Sequence, residues 1–99
     1  MHTIRLRGAW TTATLPGGGT RHARNFGKPR TLDADECVWL VGDVAEAGTL
    51  SVNGEVAASV PAGRFAVDVT HKLAERNAVW IDLPTDHPPA DVAMEIRRD

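Results

Sequence analysis

Apolar and polar side chains alternate with a period of two residues along most of the sequence, which is the pattern of β-strands that bury one face. Phe65, Val67 and Val69, for example, alternate with Arg64, Ala66 and Asp68. The segment 37–41 is apolar throughout, which is typical of a central strand covered on both faces. The alternation and its interruptions predict eight strands, near residues 3–7, 20–26, 37–43, 48–53, 55–60, 64–69, 78–83 and 91–97.

Turn-forming residues separate these segments. Asn53 and Gly54 stand between two alternating segments and predict a tight type I′ hairpin, because both central residues of that turn need a positive φ. The three glycines at 17–19 predict a flexible loop. Only residues 70–76 have a helical pattern, with Thr70 as the N-cap. The sequence therefore predicts at most one short helix.

The predicted fold is all-β: an antiparallel, two-sheet jelly-roll sandwich that occupies residues 1–99 as a single domain. Counted along the chain, predicted strands one, eight, three and six share one sheet, and strands two, seven, four and five share the other. The side chains expected in the core are Ile4, Leu6, Val38, Leu40, Leu50, Val52, Val56, Phe65, Val67, Val69, Leu73, Val79, Ile81, Met94 and Ile96.

Residues 21–83 contain motifs that occur together in a known fold family. They are Val-Trp-Leu at 38–40, Ser-Val-Asn-Gly-Glu-Val at 51–56, Arg-Phe-Ala-Val-Asp-Val-Thr at 64–70 and Asn-Ala-Val-Trp-Ile at 77–81. This series resembles the galactose-binding-like jelly roll, notably the sugar-binding domain of family 2 glycoside hydrolases. The resemblance implies a β-sandwich of a sugar-binding type. The catalytic residues of those hydrolases lie in a separate barrel domain, so the resemblance assigns none here and implies that the chain is not an enzyme.

The charges are unevenly distributed along the 99 residues, although the net charge is only −2. The first 32 residues contain six basic side chains and no acidic one, whereas all 13 acidic side chains lie in residues 33–99. Either the two parts neutralise each other in the folded domain, or the basic segment 1–32 contacts an acidic partner such as nucleic acid.

Few residues combine into a recognisable reactive or metal-binding motif. The single cysteine, Cys37, and four widely spaced histidines predict no zinc site, and we expect the histidines to lie on the surface or to cap other elements. Asp33, Asp35 and Glu36 form either a calcium-binding turn or a solvated acidic turn. We predict no catalytic set, no metal site and no cofactor.

The N-terminal residues lack the apolar core of a signal peptide. No apolar stretch approaches the roughly 18 residues that a membrane-spanning helix requires. The sequence therefore predicts a cytoplasmic protein without a membrane span.

The tryptophans are the most informative of the few aromatic side chains. If Val38 and Leu40 face the core, Trp39 faces outward, and the same alternation places Trp80 on the outer face of the other sheet. A bound sugar, a second subunit or the chain's own segment 8–36 would each cover these indoles.

Charged side chains accompany Trp39 in the predicted strand order. Arg5, Arg7 and Arg97 then lie on the face that displays Trp39, where a guanidinium can stack on the indole and Glu95 can pair with an arginine. This face is either an interaction surface or a solvated sheet whose charges prevent aggregation. The predicted ligand-binding residues are Trp39, Arg5, Arg7, Glu95 and Arg97, with Trp80 on the opposite face as a further candidate.

The leading functional hypothesis is a non-catalytic β-sandwich domain that binds a carbohydrate or a protein surface. One alternative is a nucleic-acid-associated protein that uses the basic segment 1–32, for which binding would depend strongly on salt. The other is a purely structural domain that associates with itself, for example as a homodimer.

Overall fold

The computed structural model describes residues 2–98, which contain nine β-strands. They form a four-stranded antiparallel sheet in the order β1-β9-β4-β7 and a five-stranded antiparallel sheet in the order β2-β3-β8-β5-β6. One 3₁₀ turn is the only helix in this range, and no helix in it is long and apolar enough to cross a membrane. The elements are β1 (His2–Arg5), β2 (Thr11–Thr14), β3 (Thr20–Gly27), β4 (Glu36–Val44), β5 (Gly48–Val52), β6 (Glu55–Val60), β7 (Gly63–Asp68), the 3₁₀ turn (Thr70–Lys72), β8 (Arg76–Leu83) and β9 (Ala90–Arg98).

All eight predicted strands are present, and both predicted sheet orders are confirmed. The ninth strand, β2, was not predicted, because its four residues are all exposed and have no apolar alternation. It adds to the edge of the five-stranded sheet by pairing with β3. The glycines at 17–19, predicted as a flexible loop, instead form the turn of this hairpin, where the Leu15 amide donates to the Gly19 carbonyl over 3.0 Å.

Side chains from both sheets meet in one hydrophobic core. Most of the predicted core is confirmed, although Ile4, Val67 and Leu73 are only partly buried at its margin. The core also contains five side chains that the sequence analysis did not place there: Phe26, Val44, Val60, Leu83 and Val92. The full set of buried side chains in the core is Leu6, Phe26, Val38, Leu40, Val44, Leu50, Val52, Val60, Phe65, Val69, Val79, Ile81, Leu83, Val92, Met94 and Ile96.

The prediction that Val56 lies in the core is wrong, since this side chain is 66% exposed. The cause is a shift of register between β5 and β6. Leu50 lies opposite Ala58, but Ser51 lies opposite Val56, so that Ala57 is an extra residue in β6. An extra residue in one strand reverses the face of the side chains before it relative to those after it, and Val56 therefore lies on the outer face.

The Asn53–Gly54 turn has the predicted geometry. Asn53 has φ 53° and Gly54 has φ 83°, as a type I′ hairpin requires. The Asn53 side chain also joins this turn to β8, because its Oδ1 accepts from the Ala78 amide and its Nδ2 donates to Asn77 Oδ1, each over 2.9 Å. The turn thus has a tertiary role that local sequence does not reveal.

The predicted helix at 70–76 is reduced to the single 3₁₀ turn Thr70–Lys72, and its N-cap is Val69 rather than Thr70. The Thr70 hydroxyl instead donates to Asp68 Oδ1 over 2.6 Å. Further along, the amide of Ala74 donates to the side-chain Oδ1 of the buried Asn77 over 2.7 Å. Side-chain acceptors that capture backbone amides compete with helical hydrogen bonds, and here they end the helix after one turn.

Candidate binding site

Trp39 lies on β4, on the outer face of the four-stranded sheet. Its neighbours Val38 and Leu40 are fully buried, which confirms the predicted alternation. The guanidinium carbon of Arg97 lies 4.7 Å from the centroid of the indole. Glu95 Oε1 accepts from both Nε and Nη2 of Arg97, over 3.0 and 2.6 Å. A carboxylate therefore holds an arginine over the indole.

Trp80 has an equivalent environment on the outer face of the five-stranded sheet. The Arg21 guanidinium carbon lies 4.0 Å from the indole centroid. Arg21 donates to both carboxylate oxygens of Asp82, over 2.9 and 3.0 Å. These hydrogen bonds raise the pKa of Arg21 above its ordinary value, against the opposing effect of burial.

Each outward indole is thus occupied by an arginine that a carboxylate holds in place. A sugar ring that stacked on Trp39 or Trp80 would first have to displace this guanidinium. Of the predicted site residues, the structure brings Trp39, Glu95 and Arg97 together, and Trp80 forms a separate stack on the other sheet. The segment 8–36 supplies Arg21 to the Trp80 stack, whereas the arginine over Trp39 comes from β9.

Arg5 and Arg7 contribute to a second feature, at the end of β1. Arg5 is on the edge strand β1, opposite Ala93, and Arg7 follows the end of that strand. Both line a cavity of about 260 Å³ together with Trp10 and Asp91. By its register Arg5 still shares the outer face of the sheet with Trp39, and the cavity at the end of β1 adds a second candidate site.

Hydrogen bonds to backbone carbonyls fix the walls of this cavity. The indole Nε1 of Trp10 donates to the Leu6 carbonyl over 2.8 Å, and the ring packs against the core. Arg24 donates to the carbonyls of Arg7 and Gly8, over 3.0 and 2.9 Å. Arg24 therefore ties the segment that carries Arg7 and Trp10 to β3, and the indole of Trp10 closes this segment onto Leu6.

The backbone around the cavity adopts a conformation that L-residues avoid. Ala9 has φ 55° and lies between two lining residues, and Asp91, which lines the cavity, has φ 52°. Left-handed backbone at a residue other than glycine is costly and concentrates at functional sites. The sequence offered no sign of this strain.

The acidic turn considered for calcium is held by arginines. Arg30 donates to both carboxylate oxygens of the buried Glu36, over 2.8 and 2.7 Å, and Arg98 contacts Asp33 and Asp35. The hydrogen bonds from Arg30 and from the Asp33 amide lower the pKa of Glu36 to about 2. Within residues 2–98 no cluster of histidine, cysteine, aspartate or glutamate side chains has an arrangement that would hold a metal ion.

His22 is buried, contrary to the expectation that the histidines lie on the surface. It is only 1% exposed and lies opposite Ile81. Because Arg21 faces outward on β3, the next side chain must point inward. Its Nε2 has no hydrogen-bond partner among the residues that the structure describes.

The topology and the core together define an antiparallel, two-sheet β-sandwich, as the sequence predicted. No protein-family model matches the sequence, and no curated protein matches it significantly. Solved structures do match. An FMN-binding β-glucuronidase from Facaelibacterium prausnitzii L2-6 superimposes with a TM-score of 0.79 at 18% identity. The β-glucuronidase of Bifidobacterium dentium, complexed with coumarin-3-O-glucuronide, superimposes with a TM-score of 0.70 at 21% identity.

The two matches cover most of this chain but little of the enzymes. They include 94% and 83% of this chain, and only 22% and 20% of the respective β-glucuronidases. At this level of identity the likeness concerns the fold. The chain corresponds to about a fifth of each enzyme, so their activity does not transfer with the fold.

Proposed function

We propose that this chain is a non-catalytic β-sandwich domain that binds a carbohydrate. The observation that carries the proposal is the cavity at the end of β1, where an indole, two guanidinium groups and a carboxylate line one concave surface. Ligand sites combine apolar walls with a few convergent polar groups, and Leu6 and Val92 supply further apolar surface here.

The cavity has the chemistry that sugar recognition needs. An indole offers an apolar face to a sugar ring, and guanidinium and carboxylate groups offer donors and acceptors to its hydroxyls. The volume of about 260 Å³ is below the roughly 300–1,000 Å³ of pockets for drug-sized ligands, which suits a single sugar ring. Since Trp10 is already held by Leu6, little ordering of the indole would accompany binding.

A binding role agrees with the surroundings of the cavity. Glycoside hydrolysis uses two carboxylates placed across a cleft. Asp91 is the single carboxylate among the described residues that line this cavity. The similarity of fold to two β-glucuronidases supports a carbohydrate as the ligand class, while the catalytic chemistry of those enzymes is not part of the proposal.

Binding of a protein surface is the second candidate, and the outer face of the four-stranded sheet favours it. The half-buried Trp39 is the apolar centre of this face, since Val41 and Ala93 beside it are already buried. An apolar centre with charged surroundings, here Arg97 and Glu95, is the composition of many interfaces. A second copy of this chain is the simplest such partner, which light scattering tests.

Fluorescence of a protein that retains only Trp10 tests carbohydrate binding. The double variant Trp39→Phe/Trp80→Phe keeps one of the three tryptophans, at the cavity. We expect a sugar that enters the cavity to change this emission in a saturable way, and calorimetry on the unaltered protein to give the same affinity. The absence of saturable binding up to about 10 mM across neutral and acidic mono- and oligosaccharides would refute the proposed function.

A further inference from the structure

Unneutralised positive charge surrounds the cavity at the end of β1. Arg5 and Arg7 are exposed and line it, and neither forms an ion pair with any residue between 2 and 98. Arg24 adds a third guanidinium beside Arg7, and its hydrogen bonds go only to carbonyl oxygens. Carbonyls satisfy its donors but leave its charge uncompensated.

Other arginines of the molecule are in a different situation. Arg21, Arg30, Arg97 and Arg98 each contact a carboxylate at 3.2 Å or less. The basic excess of the first 32 residues is therefore partly removed by pairing, and what remains is concentrated near the cavity. Asp91, the carboxylate in the lining, balances one charge of the three.

The segment that presents these groups is held rigidly in an unfavourable backbone conformation. Gly8 and Ala9 have φ of 62° and 55°, between Arg7 and Trp10. Arg24 bonds to the carbonyls of Arg7 and Gly8, and the Trp10 indole bonds to that of Leu6. A strained segment that is fixed by an arginine of β3 and by its own indole is preorganised, which reduces the entropy lost when a ligand binds.

We propose that this cavity binds an acidic sugar: a sugar ring that carries an oxyanion, either a carboxylate or a sulfate or phosphate ester. Arg5 and Arg7 bind the oxyanion, Trp10 packs against the ring, and Asp91 accepts a hydrogen bond from a ring hydroxyl. Arg24 is a positioning residue that holds the segment of Arg7. This inference rests on the proposed function and names the class of carbohydrate.

Guanidinium groups suit this task because their planar donors match the oxygens of a carboxylate or sulfate. The two arginines are exposed, so their attraction to an anion is screened by salt. The cavity should therefore distinguish an acidic sugar from a neutral one of the same shape, and the distinction should weaken as ionic strength rises.

Calorimetry with paired ligands tests the inference on the full chain. The pair is methyl β-glucuronide and methyl β-glucoside, which differ in the carboxylate, with glucose 6-sulfate and glucose 6-phosphate as further arms. We expect the glucuronide to bind at least about tenfold more tightly than the glucoside at about 0.05 M salt, with a smaller ratio at about 0.5 M. Inorganic sulfate alone should bind more weakly than any of the acidic sugars.

Variants of the cavity arginines test whether the preference for the glucuronide over the glucoside arises at this cavity. Arg5→Gln/Arg7→Gln should lose this preference and bind the glucuronide no more tightly than the glucoside, whereas Arg64→Gln should keep the preference. Arg64 is a matched control, since it is exposed, forms no ion pair within residues 2–98 and lies on β7, at the opposite edge of the sheet from β1. Melting curves show whether each variant is folded, and Arg7→Gln alone replaces the double variant if that one is not.

The outcomes separate this inference from the proposed function. Equal binding of the glucuronide and the glucoside overturns the acidic class and leaves carbohydrate binding intact. A preference that persists in Arg5→Gln/Arg7→Gln, or tight binding of sulfate alone, overturns the assignment to this cavity or to a sugar. If no acidic sugar binds, the inference is wrong, and if the wider panel of neutral and acidic sugars also fails to bind, the proposed function is wrong as well.

Discussion

The outer faces of the two sheets carry the same three kinds of side chain but assemble them differently. On the five-stranded sheet, Arg21 of β3 lies directly opposite Asp82 of β8 and contacts both of its oxygens. On the four-stranded sheet, Arg97 and Glu95 belong to the same strand, and both hydrogen bonds go to one oxygen. The first pair joins two strands, while the second only holds an arginine over its neighbour's indole.

Because of this difference, the two arginine–tryptophan stacks contribute differently to the stability of their sheets. The pair at Trp80 adds a cross-strand contact to the β3–β8 ladder, and cross-strand pairs are a unit of sheet stability. The pair at Trp39 makes no such connection, so its arginine gives up only the stacking contact with β4 when it leaves the indole. The face around Trp39 is therefore the better suited to exchange its arginine for a partner.

Removal of each indole should give the largest effects. We expect Trp39→Ala and Trp80→Ala each to destabilise the protein by about 2 kcal/mol without loss of the fold, because both side chains are partly exposed. Trp39→Ala should cost more, since the buried Val41 and Ala93 lie one step along the same face. Urea denaturation followed by circular dichroism measures both values.

Phenylalanine variants at the same positions serve as controls, because they keep an aromatic face for the arginine. They should lose less than half as much stability as the alanine variants. If Trp39→Ala abolishes folding while Trp80→Ala is tolerated, Trp39 is part of the core and the two faces are not comparable.

The second largest effect should be a difference in coupling free energy between the two ion pairs. Double-mutant cycles with glutamine and asparagine replacements should give a larger coupling for Arg21–Asp82 than for Arg97–Glu95, because the former has two-oxygen, cross-strand geometry. Thermal melting of the single and double variants at low salt supplies the data. Equal coupling free energies would contradict the conclusion that only the Arg21–Asp82 pair stabilises a strand pairing.

Acid unfolding limits the pH range in which the two faces can be compared. Glu36 has a pKa of about 2 in the folded protein, below its ordinary 4.5, because Arg30 and the Asp33 amide donate to its carboxylate. A lowered folded pKa adds stability that is fully present above about pH 4.5 and lost as the pH falls towards 2. Stability measured from pH 6 to pH 2 should decline over this window.

The variant Glu36→Gln tests whether Glu36 causes this loss of stability in acid. The variant should be less stable than the unaltered protein at neutral pH and should show a shallower decline in acid. A decline of unchanged slope would mean that other carboxylates carry the acid sensitivity.

The smallest expected effect is on the accessibility of the indoles. Arg97→Met and Arg21→Met remove the guanidinium but keep a flexible side chain. In proteins that retain only the relevant tryptophan, we expect acrylamide to quench Trp39 more strongly after Arg97→Met, and Trp80 to change less after Arg21→Met. The opposite order would show that the Trp80 face, rather than the Trp39 face, opens more readily.

Strand positions and turn chemistry were predictable from the sequence because they depend on local alternation and on positive φ at Asn53 and Gly54. The strand order followed from the jelly-roll topology that eight such strands indicate. Three features were not predictable. The strand β2 has no apolar face to recognise. The side to which Val56 points depends on an extra residue in its strand, and the length of the 3₁₀ turn depends on hydrogen bonds made by Asn77.

Part of the candidate site was also predictable from the sequence and part was not. The outward orientation of Trp39 and its closeness to Glu95 and Arg97 follow from alternation and strand order. The cavity of Arg5, Arg7 and Trp10 does not, because it forms where β1 has ended and the chain turns in a left-handed conformation. A tryptophan three residues after Arg7 was the available sign, but it had no predicted strand to orient it.

The pairing of β1 with β9 has a consequence for how the protein folds. His2 lies opposite Ile96, so this ladder closes a loop of nearly the whole chain, whereas the hairpin of β5 and β6 joins neighbours. Loop closure costs more entropy as the loop lengthens, and folds dominated by distant pairings fold in roughly milliseconds to seconds. On a ribosome, β4 would emerge long before its neighbour β9 and would keep an unpaired edge until synthesis reached residue 98.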